Sequence, residues 1–337
     1  MGRVFVYAGD MAQMVPGLSG ENEVVREIER AFAGPRSGSL RVGMGDDAAL
    51  WRAGRGQEAI LTCDWFLEGT HFLRDQHPPD AVGWKCLARA ASDTAAMGGI
   101  PKCFLLSLAL PANCAGDWLR GFLRGLRRVS RTLGCQLAGG DTTRRDEILI
   151  NTTVIGEVGS GQAVLRCGAR TGDLLYVSGT LGEAELGWRE LRRERGIGDA
   201  SANAFIRKHL YPEPRIALGH WLAKNRLATA MMDLSDGLSS DLPRLCSEST
   251  AGARITAASL PCVAQSARKD AVELALHGGD DYELLFTVRP KNARKIGTEF
   301  RGLTLTRIGV ITREKKVLVQ QDGRWRPLIA GGWDPFR

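Results

Sequence analysis

Apolar positions along the chain follow two periods in turn. Within 20–33, Val24, Val25, Ile28 and Phe32 share one helical face, and Gly34-Pro35 ends the run. A second helix is predicted over about 79–97. A third is predicted over about 116–133, with Trp118, Phe122, Leu126 and Val129 along one side. Short apolar or β-branched runs between them predict strands at 59–64, at 103–110 (stopped by Pro111) and at 147–157. Residues 156–172 are glycine-rich and charged, and after them the pattern restarts. A strand at 173–178 leads to a helix at 182–195, and Tyr211-Pro-Glu-Pro214 punctuates before another helix. A strand at 229–233 runs into a helix from about 236, and strands follow at 281–288 and 305–312.

Mixed strands and helices in both halves predict two α/β or α+β domains. The break places an N-terminal domain at 20–159 and a C-terminal domain at 160–337. Residues 1–19, with weak periodicity and a Pro-Gly turn, are expected to form an N-terminal extension. A length of 337 residues suffices for two cores of this kind.

Composition narrows the class. No apolar run approaches the roughly 18 residues of a membrane span, and the start lacks a secretory h-region, so a cytoplasmic protein without a membrane partner is expected. Eight cysteines occur with no C-x-x-C pair, which predicts buried thiols in a reducing compartment rather than a disulfide frame or a zinc site. The net charge of +7 suits either nucleic acid or a phosphorylated substrate. Arginines cluster from Trp188 to Arg195, but glutamates are interleaved, so the stretch reads as a solvated helix face and no nucleic-acid partner is expected.

The candidate chemistry lies in aspartates at strand ends and glycine turns. Asp46 and Asp47 follow Gly43-Met-Gly45, Asp64 ends a strand, and Asp93 interrupts an apolar helix. Asp141 lies in a glycine turn before a strand, Asp233 and Asp236 bracket a strand-to-helix turn, and Asp280 and Asp281 follow Gly278-Gly279. Singly, each has a structural reading: a helix cap at Ser235 or Asp236, a turn at Gly-Gly-Asp, a solvated Asp93. Together they suggest carboxylates gathered around hard divalent cations, with glycines letting backbone N–H groups approach phosphates. No Walker A run, G-x-G-x-x-G or H-R-D signature is present, so triphosphate binding is expected to rest on acidic residues and metal.

The ordered set Gly43-Met-Gly-Asp-Asp-Ala48, Thr62-Cys-Asp64, Glu68-Gly-Thr-His-Phe72, Ser92-Asp-Thr-Ala-Ala-Met-Gly98, Gly139-Gly-Asp-Thr-Thr-Arg144, Asp233-Leu-Ser-Asp-Gly-Leu238, Gly278-Gly-Asp-Asp-Tyr-Glu-Leu284 and Gly331-Gly-Trp-Asp-Pro-Phe336 resembles the thiamine-monophosphate kinases. These belong to the aminoimidazole ribonucleotide synthetase-like superfamily. The resemblance runs from about Gly20 to the end. It implies a two-domain fold whose N-terminal sheet domain binds ATP and magnesium and forms a homodimer, followed by a C-terminal α+β domain. It implies ATP as co-substrate, Mg2+, and direct in-line phosphorylation of thiamine monophosphate to thiamine diphosphate, the last step of that biosynthesis.

Carried over by position, Asp47, Thr62, Asp64, Asp93, Asp141, Asp233 and Asp236 match metal ligands, with Asp47, Asp141 and Asp233 in the catalytic role. Gly140, Asp141, Arg166 and Ser235 match nucleotide contacts, and His71, Asp280 and Trp333 match the site for thiamine monophosphate. Three positions depart from the family's pattern: Cys63 replaces a hydroxyl residue, Asp280 a glutamate and Ala90 an asparagine. Selenophosphate synthetase is disfavoured because the first cysteine is Cys63 and the first lysine Lys85. The hydrogenase-maturation relative is disfavoured because the chain ends without cysteine. An aminoimidazole ribonucleotide synthetase-like enzyme, or a catalytically weakened binder of thiamine phosphates or nucleotides, stays open.

Overall fold

The structure is a computed structural model and describes residues 21–33, 39–42, 50–193, 203–263 and 270–334. Helix α1 (Glu21–Ala31) precedes a short antiparallel pair, β1 (Leu40–Val42) and β2 (Leu50–Trp51). A four-stranded sheet is built from β3 (Gln57–Leu67), β4 (Ile100–Leu110), β5 (Gln136–Arg144) and β6 (Leu149–Gly159), in the order β3-β6-β4-β5. Two helices cover its inner face, α2 (Pro79–Ala96) and α3 (Asp117–Leu133). The core there joins Phe66, Phe104, Leu106, Ile150 and Val154 of the sheet to Val82, Leu87, Phe122 and Leu126 of the helices.

Both helices follow from local sequence. Pro79 stands at the start of α2, where its missing N–H costs nothing, and α3 ends at Gly134 in the left-handed conformation. The polar face of α3 carries its arginines, while Leu119, Phe122, Leu126 and Val129 are buried. The two helices cross closely because each presents a glycine to the other. A β-carbon at Gly125 would overlap the Asp80 carbonyl oxygen, and one at Gly83 the Phe122 carbonyl oxygen. Gly125→Val is therefore expected to cost several kcal/mol, about 3 or more, because rigid backbone would have to move. The fall in urea midpoint measures it, and an unchanged midpoint would show that the helices can part freely.

A second, larger sheet follows. Its strands are β7 (Leu174–Ser178), β8 (Ala228–Leu234), β9 (Gly252–Thr256), β10 (Glu283–Val288), β12 (Leu303–Thr312), β13 (Val317–Gln321) and β14 (Arg324–Pro327), in the order β14-β13-β9-β12-β7-β10-β8. The short β11 (Glu299–Phe300) pairs with β12. Only β9 and β13 pair in parallel along this path. One face packs on α7 (Leu238–Glu248) and α8 (Ala271–His277). The other packs on α6 (Ile216–Lys224) and on Ala95 and Ala96 at the end of α2. Helices α4 (Glu183–Arg193) and α5 (Ala204–Leu210) lie against each other, and the four-residue α9 (Ala293–Ile296) precedes β11. Thus α2 belongs to the first core yet ends in the second. It carries its side chains into the space between the sheets.

The fold is the expected two-sheet α/β and α+β arrangement. Several elements differ from the reading above. Asp141 lies inside β5, not in a turn before a strand. Strands β9, β13 and β14 and helix α8 carry weak apolar periodicity and escaped the sequence reading. Of the cysteines, Cys86, Cys103, Cys114, Cys135 and Cys246 are buried, but Cys63 and Cys167 are exposed. Among the described residues, no helix is long and apolar enough to cross a membrane. The expected extension at 1–19 lies outside the described residues.

Candidate active site

A cavity of about 1040 Å³ opens between the two sheets. One wall is acidic. Asp64 comes from the inner face of β3, Asp93 from α2 and Asp233 from the end of β8. The Thr62 hydroxyl donates to the Asp93 carboxylate. Arg89, one turn before Asp93, places Nε 3.4 Å from Asp64 Oδ2. Burial is the main reason that Asp233 rises from 3.8 to about 8, and repulsion from Asp93 adds to it. Burial, then the nearby Asp64, likewise raises Asp93. At Asp93, burial and the neighbouring carboxylate outweigh Arg166 and Arg89, so the group favours further positive charge, which a hard cation supplies. Among the described residues, no three His, Cys, Asp or Glu side chains are grouped so that they could hold a metal ion by themselves. The donor set fits an open magnesium site completed by waters and phosphate oxygens.

The same cavity is lined by His71, Asp280 and Trp333. His71 Nδ1 accepts the Leu67 N–H at 3.1 Å, which fixes the ring, and its centroid is 6.5 Å from that of Trp333. Burial, then the charge on Arg89, lowers His71 to about 4, so the ring is neutral near pH 7. The Trp333 N–H donates to the Asp236 carbonyl at 3.0 Å, and Gly331 N donates to Ser239 Oγ at 3.2 Å, so the C-terminal segment is tied to the turn after β8. A β-carbon at Gly332 would overlap the Asp236 carbonyl oxygen, which is why glycine precedes Trp333. Asp280 has a φ of +67°, unusual for a residue with a β-carbon, and its N–H donates to the Ser235 carbonyl at 2.8 Å.

Not every candidate residue joins this cavity. Asp236 lines it, but its carboxylate already accepts from Arg244 at 2.5 Å. Ser235 lines it too. Arg166 lies outside the lining, near enough to Asp93 to draw that carboxyl down. Asp141 is exposed and pairs in register with Ser107, whose other neighbour is Asn151, so it sits on the outer face of the sheet, opposite Asp64. Gly140 precedes it on β5, where a β-carbon would overlap the Leu106 carbonyl oxygen. Cys63 is on that outer face as well, 3.4 Å from Asn151 Nδ2, so its thiol is not among the Asp64–Asp93–Asp233 carboxylates. Asp47, with the rest of Gly43-Met-Gly-Asp-Asp-Ala48, lies outside the described residues.

The sequence did not mark every residue at or behind the cavity. Lys85, behind it, and Arg89, which lines it, recur with Asp93 at four-residue intervals on one face of α2. A lone lysine in an alanine-rich apolar helix could have marked that face. Trp188, read above as part of a solvated face, turns inward and stacks on His209 with centroids 5.4 Å apart, and both line the cavity. Arg189 and Glu185 also reach it and pair at 2.7 Å.

The two sheets and the carboxylate-lined space between them define an AIR synthase related protein. Family models described as the AIR synthase related protein N-terminal and C-terminal domains match residues 45–158 and 170–321. The chain belongs to the thiamine-monophosphate kinase family. It is 38% identical to the thiamine-monophosphate kinase of Escherichia coli K12 over 92% of this chain and 97% of that one. The Bacillus subtilis enzyme of the same name is 35% identical, over 89% and 94%. The structure matches the Stenotrophomonas maltophilia thiamine-monophosphate kinase with a TM-score of 0.77 and 35% identity, covering 90% of this chain and 95% of that one. It matches AaThiL complexed with AMPPCP and TMP with a TM-score of 0.74 and 32% identity, covering 93% and 96%.

Proposed function

We propose that the chain phosphorylates thiamine monophosphate to thiamine diphosphate with ATP and Mg2+. The observation that carries this reading is a single cavity lined by Asp64, Asp93 and Asp233 together with His71, Asp280 and Trp333. Membership in the family, whose structurally characterised relative AaThiL is complexed with AMPPCP and TMP, supports both reactants. Asp64, Asp93 and Asp233, with Thr62, would hold the metal. Asp236 stands at the edge of that group with its carboxylate engaged by Arg244, and the roles of Asp47 and Asp141 as further ligands rest on the family resemblance alone. Magnesium, when bound, supplies charge neutralisation between two phosphate anions brought together. Ser235, at the cavity, and Arg166, beside Asp93, would contact the nucleotide; the matching roles of Gly140 and Asp141 rest on the family resemblance alone.

The anionic Asp280 faces the cationic thiazolium ring, while neutral His71 and the Trp333 ring offer it apolar and aromatic surface. The acceptor phosphate oxygen is already anionic, so in-line attack on the γ-phosphorus of ATP requires alignment rather than a strong base. Coupled ADP release tests the reading. Turnover is expected with thiamine monophosphate and magnesium, and not with thiamine or aminoimidazole ribonucleotide precursors. Binding of thiamine monophosphate without ADP release would instead support the weakened binder.

The homodimer is part of the same proposal and is supported by the outer face of the first sheet. There Leu61 and Trp65 are 71% and 55% exposed. Leu61→Lys with Trp65→Ser is expected to halve the sedimenting mass. A wild-type chain that already sediments as a monomer at micromolar concentration rules the dimer out.

A further inference from the structure

Lys85 is a lysine buried in the interior. Its side chain is 1% exposed, in the middle of α2 among Cys86, Leu87 and Ala88 of the first core. Burying an ammonium costs several kcal/mol unless a partner compensates. That partner is 195 residues away: Lys85 Nζ donates to Asp280 Oδ2 at 2.7 Å. The other carboxylate oxygen, Oδ1, accepts from the Tyr282 hydroxyl at 2.8 Å. Asp280 is thus gripped at both oxygens, while a third of its side chain stays open toward the cavity.

The backbone is held in the same loop. Asp280 and Tyr282 have φ of +67° and +50°, and the N–H groups of both donate to carbonyls at the end of β8, those of Ser235 and Leu234. Such conformations persist only where the surroundings over-determine them. Burial alone would push the Asp280 carboxyl up, but Lys85, His209 and Arg89 hold it well below the usual carboxylate range.

We infer that Lys85 is a positioning residue: together with Tyr282 it clamps Asp280 as a fixed anion aimed at the cationic ring of the phosphate-acceptor substrate, and so sets the affinity for that substrate. The clamp spans the two sheets, since Lys85 rides on α2 and Asp280 on the loop before β10. The inference rests on the proposed function. It adds that recognition of the cation depends on a residue that does not itself line the cavity.

The test is a double-mutant cycle on the full chain, with kinetics at saturating ATP and magnesium. Lys85→Met should raise KM for thiamine monophosphate 10- to 100-fold, with kcat changed less than about threefold and KM for ATP unchanged. In an Asp280→Asn background the same change should add little, because the group that Lys85 positions has already lost its charge. Tyr282→Phe should produce a smaller rise with the same loss of effect in that background. It carries the test if Lys85→Met does not fold, as judged by circular dichroism. An unchanged KM, an equal effect in both backgrounds, or a parallel loss of kcat and of ATP affinity overturns the inference. Absence of wild-type ADP release with thiamine monophosphate instead overturns the proposed function.

Discussion

Asp93→Asn is expected to lower turnover by about a thousandfold while the fold survives, because the substitution keeps shape and an acceptor for Thr62 but removes one of three neighbouring carboxyl groups that metal binding would deprotonate and use. Coupled ADP release across a magnesium titration measures it, with thermal melts as the control for folding. A variant that stays within tenfold of wild type would show that the acidic wall does not serve phosphoryl transfer.

The same wall sets a pH dependence. Asp233 is raised from 3.8 in the unfolded chain to about 8. A carboxyl raised by folding binds its proton more tightly in the native state. Its contribution is therefore fully favourable below the unfolded value and is lost as pH climbs through the folded one. Metal-free protein should lose stability between about pH 4 and pH 8, and Asp233→Asn should flatten that decline.

Glu283→Leu is expected to destabilise the chain by about 3–5 kcal/mol at pH 7, the range for breaking a buried ion pair by removing one partner. Glu283 is fully buried on β10 and accepts from Ser178 Oγ at 2.6 Å, Lys208 Nζ at 2.8 Å, and Arg215 Nε and Nη2 at 2.8 and 2.5 Å. Its loss strands two cations on elements that pack around the second sheet. Burial would raise this carboxyl, but Arg215 and Lys208 prevail and bring it down to about 2. A depressed carboxyl stabilises above its unfolded pKa of 4.5, and that stabilisation disappears as pH falls toward 2. Urea denaturation should accordingly show the gap between wild type and variant closing between pH 5 and pH 2. A gap that persists at pH 2 would assign the loss to packing rather than charge.

Much of the fold was legible because its elements bury one face with a clean period. Phe122, Leu126 and Val129 on α3, and the β-branched run that became β6, are examples. Strands β9, β13 and β14 were not. In β14 every residue is exposed, so Arg324–Pro327 offers no alternation to read. Asp141 looked like a turn residue because Gly139-Gly140 precedes it. There the glycine serves close approach of β5 to β4 instead. Of the candidate site, the residues beside glycine turns were legible: Asp233, Ser235, Asp236 and Asp280 all reach the cavity. Lys85, Arg89 and Trp188 were not, because a charged or aromatic residue in a helix has the same local signature whether it meets solvent or a partner from a distant strand. Lys85 and Trp188 acquire their meaning from Asp280 and His209, which only the tertiary arrangement brings near.

The four-residue spacing of Lys85, Arg89 and Asp93 makes the length of α2 a fixed dimension of the molecule. Deleting one residue between Lys85 and Asp93 would rotate the two ends of the helix against each other by about 100°. The lysine would then turn away from its partner across the cleft, or the aspartate away from the other two acids. Engineering of this scaffold has latitude in the surface turns, but the stretch from Lys85 to Asp93 admits substitution and not insertion.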